Sequence, residues 1–167
     1  FGGGAITINT NTIKLNGQIT ADGASGLPYS ISYVGGSGAG GTIHITTHNL
    51  TGTGNITAKG GKGVNISATY GGSGAGGRII VYYNTTDWTY QDMLNKTNIE
   101  GGKAIIPAYD AEKGTIALIK TNDNTIFTPH GFRWQQNDYN TNSSWFQWIN
   151  ITAEQALIRT NMSTLIV

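Results

Sequence analysis

Residues Gly35-Gly36-Ser37-Gly38-Ala39-Gly40-Gly41 run directly into Thr42-Ile43-His44-Ile45, and the same heptapeptide returns 36 residues later as Gly71-Gly72-Ser73-Gly74-Ala75-Gly76-Gly77, followed by Arg78-Ile79-Ile80-Val81. A glycine loop entering a β-branched strand, twice at a fixed interval, marks a repeat, and a repeat decides the architecture before any single element does. The interval extends both ways. Gly4-Ala5-Ile6-Thr7-Ile8 precedes Gly41-Thr42-Ile43-His44-Ile45 by 37, and Gly114-Thr115-Ile116-Ala117-Leu118 follows Gly77-Arg78-Ile79-Ile80-Val81 by 37. Ile6, Ile43, Ile79 and Ile116 are therefore equivalent, as are Ile8, Ile45, Val81 and Leu118. A spacing of two puts both positions of each strand on one face.

A second block follows the same interval. Gly17-Gln18-Ile19-Thr20-Ala21-Asp22-Gly23 matches Gly54-Asn55-Ile56-Thr57-Ala58-Lys59-Gly60, and Ile13 matches Leu50, Tyr33 matches Tyr70. Asn98-Ile99-Glu100-Gly101-Gly102 is a degenerate third copy displaced by an insertion. Each unit reads as three short strands, in the first unit at 5–9, 12–15 and 18–21, with turns at Thr10-Asn11 and Asn16-Gly17. A Gly-rich excursion closes each unit. The longer middle of the third unit holds a helical turn within 87–94. The last unit carries an aromatic-rich region, with strands expected at 144–152, 156–159 and 163–167.

One such unit cannot bury its isoleucines alone, whereas stacked units form a continuous core. The expectation is an all-β fold, a right-handed parallel β-helix with repeats of ~37 residues, four to five coils and Gly-rich loops. Regular coils would fill residues 1–119, and irregular aromatic-rich coils would continue the same solenoid as one domain over 120–167. A β-propeller is the rival, but its blades are longer, at about 40 to 50 residues, and no blade signature occurs.

The glycine-rich heptapeptide loop with Thr42-Ile43-His44-Ile45 or Arg78-Ile79-Ile80-Val81-Tyr82-Tyr83 behind it, and Gly54-Asn55-Ile56-Thr57-Ala58-Lys59-Gly60-Gly61 between, resembles the glycine-rich β-helix repeats of very large prokaryotic surface proteins. These include adhesin-like and filament-like proteins of bacteria and archaea. The resemblance covers residues 1–119 and implies a cell-surface glycoprotein, archaeal by its tilt. The chain starts inside a glycine loop and stops in an apolar strand at Thr164-Leu165-Ile166-Val167. Uncapped ends of this kind lead us to expect either an excerpt of a longer stack or a subunit that meets copies of itself head to tail.

Composition narrows the function classes. Only 11% of residues are charged and the net charge is +1, with no basic cluster, which argues against nucleic acid. No apolar run approaches the roughly 18 to 20 residues of a membrane helix. Cysteine is absent, which excludes disulfides and thiolate metal sites. Asn-x-Ser/Thr sequons start at Asn49, Asn55, Asn65, Asn84, Asn95, Asn142, Asn150 and Asn161, where composition alone would give roughly three. Either Asn and Thr are simply abundant, or the protein is N-glycosylated and extracellular. Hydrated glycans would also keep a chain so poor in charge in solution.

Other chemistry is weaker. Gly36-x-Gly38-x-x-Gly41 and Gly72-x-Gly74-x-x-Gly77 fit the dinucleotide-binding pattern, but a strand follows where that site needs a helix N-terminus. Polysaccharide lyases and glycosidases need grouped carboxylates. Here only Asp110 and Glu112 are close neighbours, although Asp87 and Asp123 lie 36 apart. Asp22 and Lys59 are equivalent positions and suit an ion pair between units. His44, His48 and His130 read as surface residues, and Asn122-Asp123-Asn124 as a turn, so neither a metal nor another cofactor is expected. Trp134, Trp145 and Trp148 either pack an interface or stack on sugar rings. The reading is a structural, non-enzymatic surface glycoprotein. Its partners are copies of itself or further coils, with surface glycans as the alternative.

Overall fold

The computed structural model describes residues 1–30, 33–66, 69–122, 125–128, 132–135, 150–153 and 156–159. The first unit holds β1 (Ala5–Lys14), β2 (Gln18–Thr20) and the hairpin of β3 (Pro28–Ser30) with β4 (Tyr33–Val34). The second repeats it with β5 (Thr42–Thr51), β6 (Asn55–Thr57) and the hairpin of β7 (Asn65–Ile66) with β8 (Thr69–Tyr70). The third has β9 (Arg78–Tyr83), β10 (Thr85–Thr86), the helix α1 (Tyr90–Lys96), β11 (Thr97–Asn98) and a 3-10 turn at Pro107–Tyr109. Then come β12 (Thr115–Lys120), β13 (Thr125–Thr128), β14 (Phe132–Gln135), β15 (Asn150–Ala153) and β16 (Ala156–Arg159).

The repeat interval becomes strand register. β1, β5, β9 and β12 lie side by side in parallel, pairing Ile6 with Ile43, Ile43 with Ile79 and Ile79 with Ile116. A smaller parallel sheet, β2–β6–β11, pairs Ile19 with Ile56 and Ile56 with Thr97. Ile43, Ile45, Leu50, Ile56, Ile79, Val81, Ile116 and Leu118 are wholly buried and form one core with Tyr83, Trp88 and Met93.

β1 and β5 each run ten residues, so the turn expected at Thr10-Asn11 does not break the strand. It survives as a change of phase. Ile43, Ile45 and Thr47 point inward at intervals of two, and the next inward residue is Leu50, three on. The inward Thr47 hydroxyl meets the carbonyls of Asn49 and Asn11 at 3.1 and 3.3 Å, which satisfies a buried polar group at the bend.

The expectation of a right-handed parallel β-helix of four to five coils is corrected. The main sheet, β1-β5-β9-β12-β13-β15, is mixed, because β13 runs antiparallel to β12 with Ile119 opposite Ile126. The two excursions are antiparallel hairpins, and a short helix is inserted in the third unit. The physical reason lies in β12. Its sequence Thr115-Ile116-Ala117-Leu118-Ile119-Lys120 does not alternate, and four consecutive residues are buried. Ile116 and Leu118 face the main core, while Ala117 and Ile119 form a second cluster with Ile126, Ile80 and Tyr82. A strand apolar on both faces needs cover on both. The chain turns back after Thr121-Asn122 and helps supply it.

The helix within 87–94 begins later than expected, at Tyr90, because Thr89 caps it. The Thr89 hydroxyl accepts from Asp92 N–H at 3.2 Å while Thr89 N–H donates to the Asp92 carboxylate at 2.9 Å, a capping box. Hydrogen bonds from the Thr89 side chain and backbone, with Lys96 at 3.1 Å, bring the Asp92 pKa down to about 2. A carboxyl lowered on folding contributes stability above its unfolded value near ~4, and that contribution is lost as pH falls through the folded value. Carboxyl NMR should give an Asp92 midpoint near 2, with α1 fraying between about pH 4 and pH 2. A midpoint near 4 would contradict the capping box.

Candidate functional site

The candidate site is the edge of the fold formed by its first strands. β1 ends the main sheet and β2 ends the smaller one. Thr42 N–H donates to the Gly4 carbonyl at 3.0 Å. In a parallel ladder the peptide groups of successive residues point to opposite sides. Ile6 and Ile8 therefore bond toward β5, and Thr7 and Asn9 direct their N–H and C=O groups to the open side. No strand pairs with that side among the described residues. Burial agrees: Ile6, Ile8, Ile13 and Ile19 are only half-buried, whereas their equivalents Ile43, Ile45, Leu50 and Ile56 are 0% exposed.

Polar residues form ladders on the outside of the stack. Asn84 Nδ2 lies 3.0 Å from His48 Nδ1, and Asn84 Oδ1 accepts from the Thr121 hydroxyl at 2.9 Å. The Thr57 hydroxyl meets that of Thr20 at 3.0 Å. Lys59 and Asp22 form the expected pair between units at 3.4 Å, and the Asp22 carboxylate also accepts Lys59 N–H at 2.7 Å. Both partners are partly exposed, so the pair itself is worth at most about 1 kcal/mol.

The sequons differ in what their amides already do. Asn95 is exposed on α1, with its Oδ1 accepting from Gln91 Nε2 at 3.1 Å. Asn49 is half-buried, and its Oδ1 accepts from the Thr85 hydroxyl at 3.0 Å. Asn55 and Asn65 are half-buried in β6 and β7. Asn84 is engaged at both amide atoms. A glycan is joined through Nδ2, so Asn95 should be the most fully occupied of these five sites and Asn84 the least. Glycopeptide mapping of native material checks this, and full occupancy at Asn84 with none at Asn95 would overturn it. Asn142, Asn161, Trp145 and Trp148 lie outside the described residues. Asn150 falls in β15 and Trp134 in β14, where the described part is the backbone.

The remaining candidates separate. His44 is half-buried with its ring edge-on to Tyr82 at 5.7 Å, and His48 is bound to Asn84. His130, Asp123 and Asn124 lie outside the described residues. Asp87 holds the N–H of Gly52 at 3.3 Å. Asp110 is held by the Lys103 ammonium at 2.9 Å and by Ala104 N–H at 2.7 Å, which keep its carboxyl below the usual range, while Glu112 is exposed.

Two features were not read from the sequence. Trp88 is a core residue, 4% exposed, with Nε1 donating to Gly52 O at 2.7 Å and the Lys96 ammonium 5.0 Å from its ring centroid. Tyr109 and Tyr70 line one open recess of about 520 Å³ with Thr69, Gly71 and Gly72. Tyr109 was missed because it follows Tyr70 by 39 residues and not 37. Its place in the third excursion, after the displaced Gly101-Gly102, was the available signal.

A scan against protein-family models finds no match to this chain, and neither curated proteins nor solved structures give one. No helix among the described residues is long and apolar enough to cross a membrane.

Proposed function

We propose that the protein is a structural glycoprotein element of the cell exterior. In this reading its stack of units is extended at the β1/β2 edge by a further unit of the same kind, from a second copy or from more of the same chain. The observation that carries this is the step in burial from Ile6, Ile8, Ile13 and Ile19 to their fully buried equivalents. The second unit is covered by the strand beside it, and the first presents equivalent apolar side chains, with Ile13 in the place of Leu50, and no such neighbour among the described residues. A sheet edge of this kind templates strand addition. A strand that fits β1 in parallel must resemble what β1 itself offers to β5. Eight sequons and the resemblance of residues 1–119 to repeats of prokaryotic surface proteins support the placement outside the cell.

Thr7→Pro tests the edge. The proline removes an N–H on the open side and leaves the bonds to β5 in place. Wild-type protein should associate with rising concentration in sedimentation velocity and give elongated particles in negative stain, while Thr7→Pro stays monomeric with an unchanged circular dichroism spectrum. Wild-type protein that remains a small discrete particle at every concentration would sink assembly between copies.

A further inference from the structure

Of the seven large apolar side chains that stand out in solvent among the described residues, Phe1 lies at the first residue and Tyr90 on α1, and the other five, Leu27, Tyr33, Tyr70, Ile105 and Tyr109, between 48% and 75% exposed, belong to the excursions. Two of them, Tyr70 and Tyr109, flank the 520 Å³ recess, whose other lining is Thr69 and the glycines Gly71 and Gly72.

Both tyrosines stand on fixed backbone. Tyr70 ends the β7–β8 hairpin opposite Asn65, and Gly71 N–H ties the next residue to Val64 O at 2.8 Å. Tyr109 closes the 3-10 turn, with its N–H on Ile106 O at 2.9 Å and Asp110 N–H on Pro107 O at 3.1 Å. The Asp110 carboxylate clamps that loop from Lys103 and Ala104, and the Ser73 hydroxyl donates to Tyr109 O at 2.7 Å. The Gly72 backbone has open space where a side chain would stand. The site therefore offers two tyrosines on anchored backbone and a bare peptide floor.

This chemistry selects its ligand. Among the described residues no charged side chain lines the recess, so an anionic or cationic ligand finds no counter-charge there. The recess is open, so a wholly apolar ligand would keep much of its surface in water. A sugar ring suits both conditions: its C–H face covers a tyrosine ring, and its hydroxyls reach peptide groups or remain hydrated. We propose that the Tyr70–Tyr109 recess is a subsite for a neutral saccharide ring.

Two sources can supply that ring. One is a glycan of another molecule. The other is this chain's own Asn65 glycan, since Asn65 is the cross-strand partner of Tyr70, and directly paired residues share a face with Cβ atoms about 5 Å apart. The second source rests on the glycosylation reading above; the first does not.

The test uses protein made without glycans, titrated with trimers of N-acetylglucosamine, mannose and galactose and, as a charged comparison, galacturonate. Amide NMR should show saturable, millimolar shifts at Gly71 and Gly72 with at least one neutral trimer and weaker ones with the uronate. Tyr109→Ala should weaken that binding about tenfold while Tyr109→Phe retains it. If no neutral trimer gives a saturable shift, or the shift persists unchanged in Tyr109→Ala, the subsite is refuted. Glycosylated protein then separates the sources. Refusal of the added trimer, restored in Asn65→Gln, assigns the recess to the chain's own glycan. Unchanged binding assigns it to other glycans.

Discussion

Ile79→Asp should leave no folded protein at neutral pH. Ile79 is wholly buried, paired on one side with Ile43 and on the other with Ile116, both equally buried. A carboxylate there would have apolar neighbours above and below. An ionised group without partners in such a place costs more than the 5 to 15 kcal/mol, roughly, that holds a domain together. Protonation lessens the cost without removing it, because the acid still lacks a hydrogen-bond partner. The milder Ile79→Ala should cost about 2 to 5 kcal/mol through lost burial and a cavity. Ile6→Ala, at the half-buried position of the same row, should cost about 1 kcal/mol. Circular dichroism and denaturant titration read all three. A soluble Ile79→Asp with the native spectrum would contradict the assignment of this row to the core.

The second large effect is at Gly76. An added Cβ would fall inside the carbonyl oxygen of Ile99 and against the amide nitrogen of Gly114. Those two atoms are hydrogen-bonded to each other at 2.8 Å, so neither can yield without breaking the contact that brings the fourth unit onto the third. Gly76→Ala should therefore cost about 3 kcal/mol or more, at or beyond the upper end of overpacking. Gly72→Ala, four residues earlier in the same loop and facing open space, should stay within about 0.5 kcal/mol. Equal melting temperatures for the two variants would refute this. Backbone conformation is not the reason for Gly76, since Gly52 is the described glycine with positive φ, at 111°. The loop is glycine at this position because one peptide passes against another.

That distinction explains how much was legible. The row Ile6, Ile43, Ile79, Ile116 could be read directly, because register in a parallel stack is the repeat interval itself. The Asp22–Lys59 pair came from the same arithmetic. The reversal after β12 did not, although the run Ile116-Ala117-Leu118-Ile119 breaks the alternation expected of a strand with one solvated face. A second apolar face says that cover is needed and does not say from which segment or in which direction. The hairpins were hidden for a related reason. β4 and β8 pair locally with β3 and β7, while the repeat reports only what lies one unit away. Tyr109 escaped because the third excursion is spaced differently, so the recess it shares with Tyr70 has no periodic signature.

The third unit carries a further consequence. Ile19 and Ile56 pair across 37 residues, whereas Ile56 and Thr97 pair across 41, with a capped helix threaded between. Meanwhile Ile79 and Ile116 keep their own interval of 37. The two sheets thus count residues separately, and each asks only that its next strand land on the previous one. Closing a connection a few residues longer costs a small fraction of a kcal/mol, roughly. The exposed side of α1 is accordingly a splice point, where a foreign peptide could be displayed near Asn95, away from the buried Trp88 and Met93.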